Sequence, residues 1–312
     1  MEVIQVDLDS EISREATIAL GNFDGLHSGH QTLIKEVVAM AKKLNCLSSV
    51  LMFKTHTKNM TDGISQELLT SRSQKHDILR EMGIDVIYEI EFNERIMRLS
   101  PEAFVVDFLV GHLKAKGVVV GYDYRFGFKA SGDVNTLDAL CKAHNLDLAV
   151  KKAVTYDGEA VSSTRIRSAV KEGDVKLAEA LLTRPFTIRG KVVPGKQLGR
   201  TIGIPTANIL YNANYVVPKY GVYLTGVTVE GEFYYGATNI GTNPTFAEQG
   251  IKVETYLYDY KGESLYGKIM DVALLDFIRP EIAFDSVEEL KARMDRDLKF
   301  MEEQIHQEEF TK

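Results

Sequence analysis

Two histidines stand three residues apart at the end of Gly21-Asn22-Phe23-Asp24-Gly25-Leu26-His27-Ser28-Gly29-His30. An apolar run, Ala16 to Leu20, precedes this stretch, and a helical pattern from Gln31 to Leu44 follows it. The stretch therefore falls where a strand hands over to a helix. Glycines there let backbone approach a ligand closely, and a helix N-terminus favours an anion. Residues three apart on an opening helical turn share one face. A phosphate chain held at this point meets backbone N–H groups and imidazole donors together. That is chemistry for a nucleotide, and it needs no covalent intermediate.

His27-Ser28-Gly29-His30 matches the H-x-G-H signature of the nucleotidyltransferase superfamily. A second segment, Ser162-Ser163-Thr164-Arg165-Ile166-Arg167, opens a helix with hydroxyls and two arginines. By itself it reads as a capped helix with solvated arginines. Taken with the histidines it reads as a clamp on a triphosphate, with hydroxyls and guanidinium bonding phosphate oxygens. Attack of a phosphate on the α-phosphorus of ATP needs in-line positioning and charge neutralisation more than acid–base help. His27 and His30 would bond the phosphates in the transition state, and Mg²⁺ would screen the leaving pyrophosphate.

A second constellation lies downstream. The glycine-spaced run from Gly195 to Asn208 ends in Pro205-Thr206-Ala207-Asn208, and Val253-Glu254-Thr255 places a carboxylate inside an otherwise aromatic strand. Alternation puts Glu254 on the face opposite Val253 and Thr255. The only histidine beyond residue 183 is His306, in the tail, so a general base in this half is a carboxylate. Read alone, Glu254 is an ordinary solvent-facing strand carboxylate, and Pro205 to Asn208 fits a simple turn equally well.

These residues need two kinds of scaffold. The chain has 312 residues, which suggests two domains or one large one, and it is 45% apolar and 26% charged, an ordinary globular composition. The net charge of −7, with no basic run, argues against nucleic-acid binding. No apolar run is long enough to span a bilayer, and the acidic start is not a signal peptide, so a cytoplasmic protein is expected. Cys46 and Cys141 have no metal or disulfide spacing. Character changes near Thr183-Arg184-Pro185: one of the seven prolines comes before, six from Pro185 on, so the change is in type of secondary structure.

The first half alternates strands and helices. Val50 to Phe53, Val86 to Tyr88 and Gly117 to Gly121 read as strands, and Ser73 to Glu81 as helix. Another helix opens at Ser100-Pro101-Glu102-Ala103, with Ser100 as N-cap, Pro101 at N1, and Phe104, Phe108 and Leu109 on its apolar face. This rhythm predicts a Rossmann-like parallel sheet with helices on both faces, ligands binding beyond the C-terminal strand ends. The Gly21 and Gly121 segments would then converge on one cleft. The second half reads as antiparallel strands over Phe186–Val193, Gly221–Val229, Phe233–Ile240, Ile251–Tyr258 and Ile269–Phe277. Glu230-Gly231 and Lys261-Gly262 look like hairpin turns, the whole predicting a barrel or sandwich. An amphipathic helix capped by Asp285 or Ser286 closes the chain.

Together these segments resemble the bacterial bifunctional riboflavin kinase/FMN adenylyltransferase (FAD synthetase) family over nearly the whole chain. In the first half the likeness rests on Gly21 to Gln31, Leu69-Thr70-Ser71, Leu99 to Glu102, Gly121-Tyr122-Asp123-Tyr124-Arg125-Phe126-Gly127 and Ser162 to Arg167. In the second it rests on Gly199 to Asn208, Gly221-Val222-Tyr223, Asn239 to Phe246, Val253-Glu254-Thr255 and Phe277 to Glu281. The resemblance implies an adenylyltransferase domain over 1–183, joining FMN to the AMP part of ATP, and an antiparallel β-barrel riboflavin kinase domain over 184–312, ending in a helix.

By the motif match, Gly21, Phe23, Asp24, His27 and His30 form the ATP side, with Ser163, Thr164 and Arg165 on the phosphates. Asp123, Arg125 and Phe126 would lie near the flavin. In the kinase module, Gly199, Arg200, Thr201 and Gly203 would fold over ATP phosphates, and Thr206 and Asn208 would hold Mg²⁺ and phosphate oxygens. Glu254 would take the proton from the riboflavin 5′-hydroxyl, and Arg279 would touch the flavin or close the site. The implied partners are riboflavin, FMN and ATP, with FAD the final product, and the expected assembly is a monomer or weak oligomer. Two departures stand out. Thr55-His56-Thr57 replaces the family's Pro-His-Pro, which implies a less stiff loop near the nucleotide. Tyr256 stands where a histidine is common. Alternatives to a fully bifunctional enzyme are one retained activity, with the adenylyltransferase the half in question, or a weakly catalytic flavin-binding regulator.

Overall fold

The structure, a computed structural model, describes residues 1–54, 67–195, 203–211, 214–242 and 251–309. Thr55-His56-Thr57, Gly199, Arg200, Thr201 and the 243–246 segment lie outside the described residues. The chain forms two compact units: Met1–Gln66 with Arg72–Ser162, and Glu67–Ser71 with Ser163–Lys312.

In the first unit, strands β1 (Glu2–Val6), β2 (Ala16–Leu20), β3 (Leu47–Phe53), β4 (Val86–Ile90), β5 (Ala115–Gly121) and β6 (Asp147–Lys151) form one sheet in the order β1-β4-β3-β2-β5-β6. Every pairing is parallel. Its helices are α1 (Ser28–Leu44), α2 (Arg72–Glu81), α3 (Glu94–Met97), α4 (Pro101–Ala103), which runs on as a π-helical stretch over Phe104–His112, and α5 (Val134–Ala143). Alternate strand residues serve opposite faces. Ala19, Val50, Ile87 and Val119 pack under α1, which buries Leu33, Ile34, Val37 and Met40 at helical spacing. Ile18, Leu51, Tyr88 and Val120 pack on the other face against Phe104, Phe108, Leu109 and Leu137. The expected helix at Ser100 is present, with the Ser100 hydroxyl accepting from the Ala103 N–H at 3.1 Å. A short antiparallel ribbon, β7 (Thr155–Tyr156) and β8 (Glu159–Ala160), follows.

The second unit carries α6 (Ser163–Glu172) and α7 (Val175–Leu182), then a closed barrel. Its strands are β9 (Phe186–Val193), β10 (Ala207–Leu210), β11 (Gly221–Val229), β12 (Glu232–Thr242), β13 (Ile251–Leu257) and β14 (Ile269–Pro280), in the order β10-β13-β12-β11-β14-β9. Pairing of Asn208 with Val193 and of Ile209 with Val192 closes it, which decides between barrel and sandwich. Glu230 and Gly231 both have positive φ and join β11 to β12 as a tight hairpin, as expected. Lys261-Gly262 is not such a turn: β13 and β14 are not neighbours, and 258–268 crosses between them. Inside the barrel, Thr225, Thr238 and Thr255 join hydroxyl to hydroxyl at 3.0 and 2.9 Å, so three buried polar groups satisfy one another.

The final helix, α8 (Val287–Glu309), starts with Ser286 accepting from the Glu289 N–H while Glu289 reaches back to the Asp285 N–H. It lays Met301 and Ile305 on Val222 and Leu224 of the barrel's outer face. Arg279 belongs to this contact. Its Nε and Nη2 donate to Asp297 Oδ2 at 2.8 and 2.6 Å, and both residues are buried. Arg279 thus ties α8 to β14. Arg279→Met would leave the buried Asp297 carboxylate with only its ion pair to Arg293, at 3.0 Å from Oδ1, and we expect it to destabilise the second unit by about 2 kcal/mol. Urea denaturation followed by circular dichroism would measure this, and an unchanged midpoint would refute the buried-pair account.

Candidate active sites

The Gly21 loop leaves β2 beside β5, because these strands are adjacent and parallel, with Ala19 opposite Val119. The loop is strained: Phe23 and Leu26 have φ of 48° and 44°, and both side chains are fully buried. Each such residue costs about 1–3 kcal/mol and persists only where its surroundings hold it, and strain of this kind gathers at ligand sites. Core packing around Ile34 and Val119 holds it here. Asp24 is buried as well, at 1% exposure.

His27 is the N-cap of α1, where Ser, Thr, Asp or Asn is the usual residue. Its Nδ1 accepts from the His30 N–H at 3.4 Å, which leaves Nε2 carrying the proton of the neutral ring. The two imidazoles stack, centroids 3.7 Å apart and 18° from parallel. Phe23 meets His30 edge-on at 5.4 Å. Gly29 makes the stack possible, since a Cβ there would press on the His27 ring at 3.1 Å. No acidic residue occupies the first turn of α1. His30 Nδ1 is buried and has no hydrogen-bond partner among the described residues. A buried polar atom of this kind at a helix N-terminus is left to bond water, an ion or a ligand.

Burial, then His27, then Lys75 of α2 hold the His30 ring well below its ordinary value of 6.5. Sequence reasoning missed Lys75, because nothing local links α2 to α1. The folded ring therefore stays neutral where the unfolded chain would protonate, so stability falls as pH drops through 6.5. We expect α1 amides to exchange faster at about pH 5.5 than at about pH 7.5, after correction for intrinsic rates. His30→Gln should shrink that difference, and an unchanged difference would exclude His30 as its source.

At the end of β5, Asp123 and Arg125 are exposed, and Arg125 approaches Asp133 no closer than 3.9 Å. Phe126 is placed differently from its expected neighbours: it is buried among Phe104 and Tyr124, so it supports the loop from the core. Ser163, Thr164 and Arg165 open α6 and belong to the second compact unit, with Ser163 and Arg165 half-buried and Thr164 exposed. Arg167 is buried, and its Nε bonds the Glu67 carbonyl at 2.7 Å, anchoring the Glu67–Ser71 segment.

In the barrel, register brings the second constellation together. Asn208 of β10 lies opposite Glu254 of β13, and Glu254 lies opposite Asn239 of β12. Directly opposite residues share a face, with Cβ atoms about 5 Å apart. Val253 and Thr255 are buried in the interior, so Glu254 stands on the outer face, as alternation predicted. Tyr256 shares that face and meets Tyr258 edge-on at 5.4 Å. Thr206, just before β10, is half-buried, and Gly203 turns with φ of 85°. Asn239 heads one of the segments that carry the family resemblance, but only pairing reveals it beside Glu254.

Comparison with known proteins agrees with both halves. The FAD synthetase family model matches residues 9–165, and the riboflavin kinase model matches residues 182–305. A bifunctional riboflavin kinase/FMN adenylyltransferase of Listeria monocytogenes is 36% identical over 90% of this chain and 89% of its own. The chain belongs to the bifunctional riboflavin kinase/FMN adenylyltransferase family. The Escherichia coli K12 member is 37% identical over 90% of each chain. A solved structure titled macrolide-efflux protein, from Streptococcus pneumoniae, superposes with a TM-score of 0.87 at 28% identity, covering 96% of this chain and 98% of that one. Its title concerns that protein. Among the described residues here, no helix is long and apolar enough to cross a membrane.

Proposed function

We propose that the chain makes FAD from riboflavin in two ATP-dependent steps. One phosphorylates riboflavin to FMN, and the other joins FMN to AMP and releases pyrophosphate. The observation that carries this reading is the match of one family model to each half, 9–165 and 182–305. We take the adenylyltransferase to run over 1–183 and the kinase over 184–312, a division supported by the start of the kinase model at 182.

In adenylyl transfer, an oxygen of the FMN phosphate bonds to the α-phosphorus, and the α–β bridge breaks with its electron pair on pyrophosphate. The His27 and His30 donors and the α1 N-terminus would stabilise the developing charge without proton transfer. Gly21, Phe23 and Asp24 would shape the ATP side. Ser163, Thr164 and Arg165 would bond phosphates, and Asp123 and Arg125, backed by Phe126, would face the flavin.

In the kinase, Glu254 would take the 5′-hydroxyl proton as that oxygen bonds to the γ-phosphorus and ADP departs. Gly199, Arg200, Thr201 and Gly203 would cover the ATP phosphates. The Thr206 hydroxyl and Asn208 amide are oxygen donors that fit Mg²⁺. Bound there, Mg²⁺ supplies charge neutralisation. ATP as substrate and two unpaired cysteines, Cys46 and Cys141, support a cytoplasmic setting.

The test is direct. The purified chain with riboflavin, ATP and Mg²⁺ should give FMN and then FAD by chromatography. Failure to form either, with dithionite-reduced flavin also tried, would refute the proposal. FMN without FAD would favour a single retained activity.

A further inference from the structure

Glu254 does not stand alone on the outer face of β13. Lys252, two residues earlier on the same face, places its Nζ 2.8 Å from Glu254 Oε2. The pair is partly sheltered, with side chains 34% and 23% exposed. Ion pairs so placed are screened less than those on an open surface. The next row of the barrel explains what surrounds the lysine. Lys252 lies opposite Leu210 on one side and Gly241 on the other. The position at 241 has no side chain, and a Cβ there would collide with the Glu281 carboxylate, which fills that space. The ammonium is therefore set among carboxylates: Glu254 in direct contact, Glu281 over the neighbouring strand.

A base that must accept a proton from one hydroxyl has to present a lone pair in one direction. A glutamate side chain is flexible, and holding it in a single geometry is what a base of this kind requires. The Lys252 contact engages Oε2 and leaves Oε1 as the accepting atom. We propose that Lys252 is a positioning residue of the riboflavin kinase site, fixing Glu254 so that Oε1 takes the 5′-hydroxyl proton. The inference rests on the reading of Glu254 as the general base. The bonding is that of the kinase step: the hydroxyl proton passes to Oε1, the hydroxyl oxygen bonds to the γ-phosphorus, and the leaving electron pair goes to ADP.

The experiment uses the full-length chain with riboflavin, ATP and Mg²⁺, and compares Lys252→Met, Lys252→Arg, Glu254→Gln and the Lys252→Met/Glu254→Gln double variant. Circular dichroism and the urea midpoint of each variant serve as the folding control for the barrel, and conversion of supplied FMN to FAD shows that the other half is intact. Lys252→Met should lower kcat for FMN formation about tenfold while both KM values stay within about twofold. Lys252→Arg should recover most of the loss, since a guanidinium can hold the same oxygen. The double variant should be no slower than Glu254→Gln alone, because the lysine acts only through the glutamate. A wild-type kcat in Lys252→Met, or a further loss in the double variant, would overturn the inference and leave the base assignment standing. Normal kcat in Glu254→Gln would overturn the base assignment and the inference with it.

Discussion

Glu254→Gln should slow FMN formation by about 10³-fold while FMN-to-FAD conversion stays within about twofold of wild type. Glutamine keeps the size of the side chain but cannot take a proton. The barrel should tolerate the change, because Val253 and Thr255, not Glu254, fill the interior of β13. Thr255 also ends the buried hydroxyl chain through Thr238, and the substitution does not touch it. The ion pair with Lys252 is lost, but it sits on the outer face, where such a loss is worth about 1 kcal/mol or less. Steady-state rates of each half-reaction, resolved by chromatography, check this. FMN formation within tenfold of wild type would remove Glu254 from the role of base. Loss of both half-reactions would refute independent sites.

The second large effect is expected at the other end of the pathway. Replacing His27 and His30 together by alanine should lower FAD formation from FMN by about 10³-fold or more, since each donor to a developing phosphate charge is worth about 10²-fold or more. Riboflavin phosphorylation should be unchanged. His27 is also the N-cap of α1, so alanine there weakens the helix by about 1 kcal/mol. His27→Asn separates the two roles. Asparagine caps well, so α1 stays intact, while the imidazole donor is gone. A His27→Asn variant with full adenylyl transfer would assign His27 to the fold alone, and full FAD synthesis by the double alanine variant would sink the cleft assignment.

Local chemistry made much of this protein legible before any fold was known. Strand, glycine loop and helix around His27 follow from an apolar run, punctuation and a helical period. Phe186–Val193 and Gly221–Val229 have the bounds the sequence pattern predicts. β1 and β6 are not legible in the sequence, because Glu2–Val6 and Asp147–Lys151 are short edge strands, little buried and each opening on a charged residue. β10 is four residues long, too short for a periodic signal, yet it carries Asn208. The burial of Arg279 is not legible for a similar reason: its partner, Asp297, is on another element, and an arginine before proline has no local sign of burial.

The sequence by itself determined which residue types could do the chemistry: two histidines at a helix start, a carboxylate on a strand, a hydroxyl and an amide at the end of a glycine-spaced run. Period and punctuation operate over a few residues, so they set faces and turns. Only the tertiary structure decided what stands next to what. Barrel register set Asn208, Glu254 and Asn239 in one row and Lys252 beside Gly241, and sheet order put the loops after β2 and β5 side by side. Packing stacked His27 on His30 and left Nδ1 of the latter buried without a partner among the described residues. Those neighbours come from strands and helices far apart in the chain, where no local pattern can carry the information.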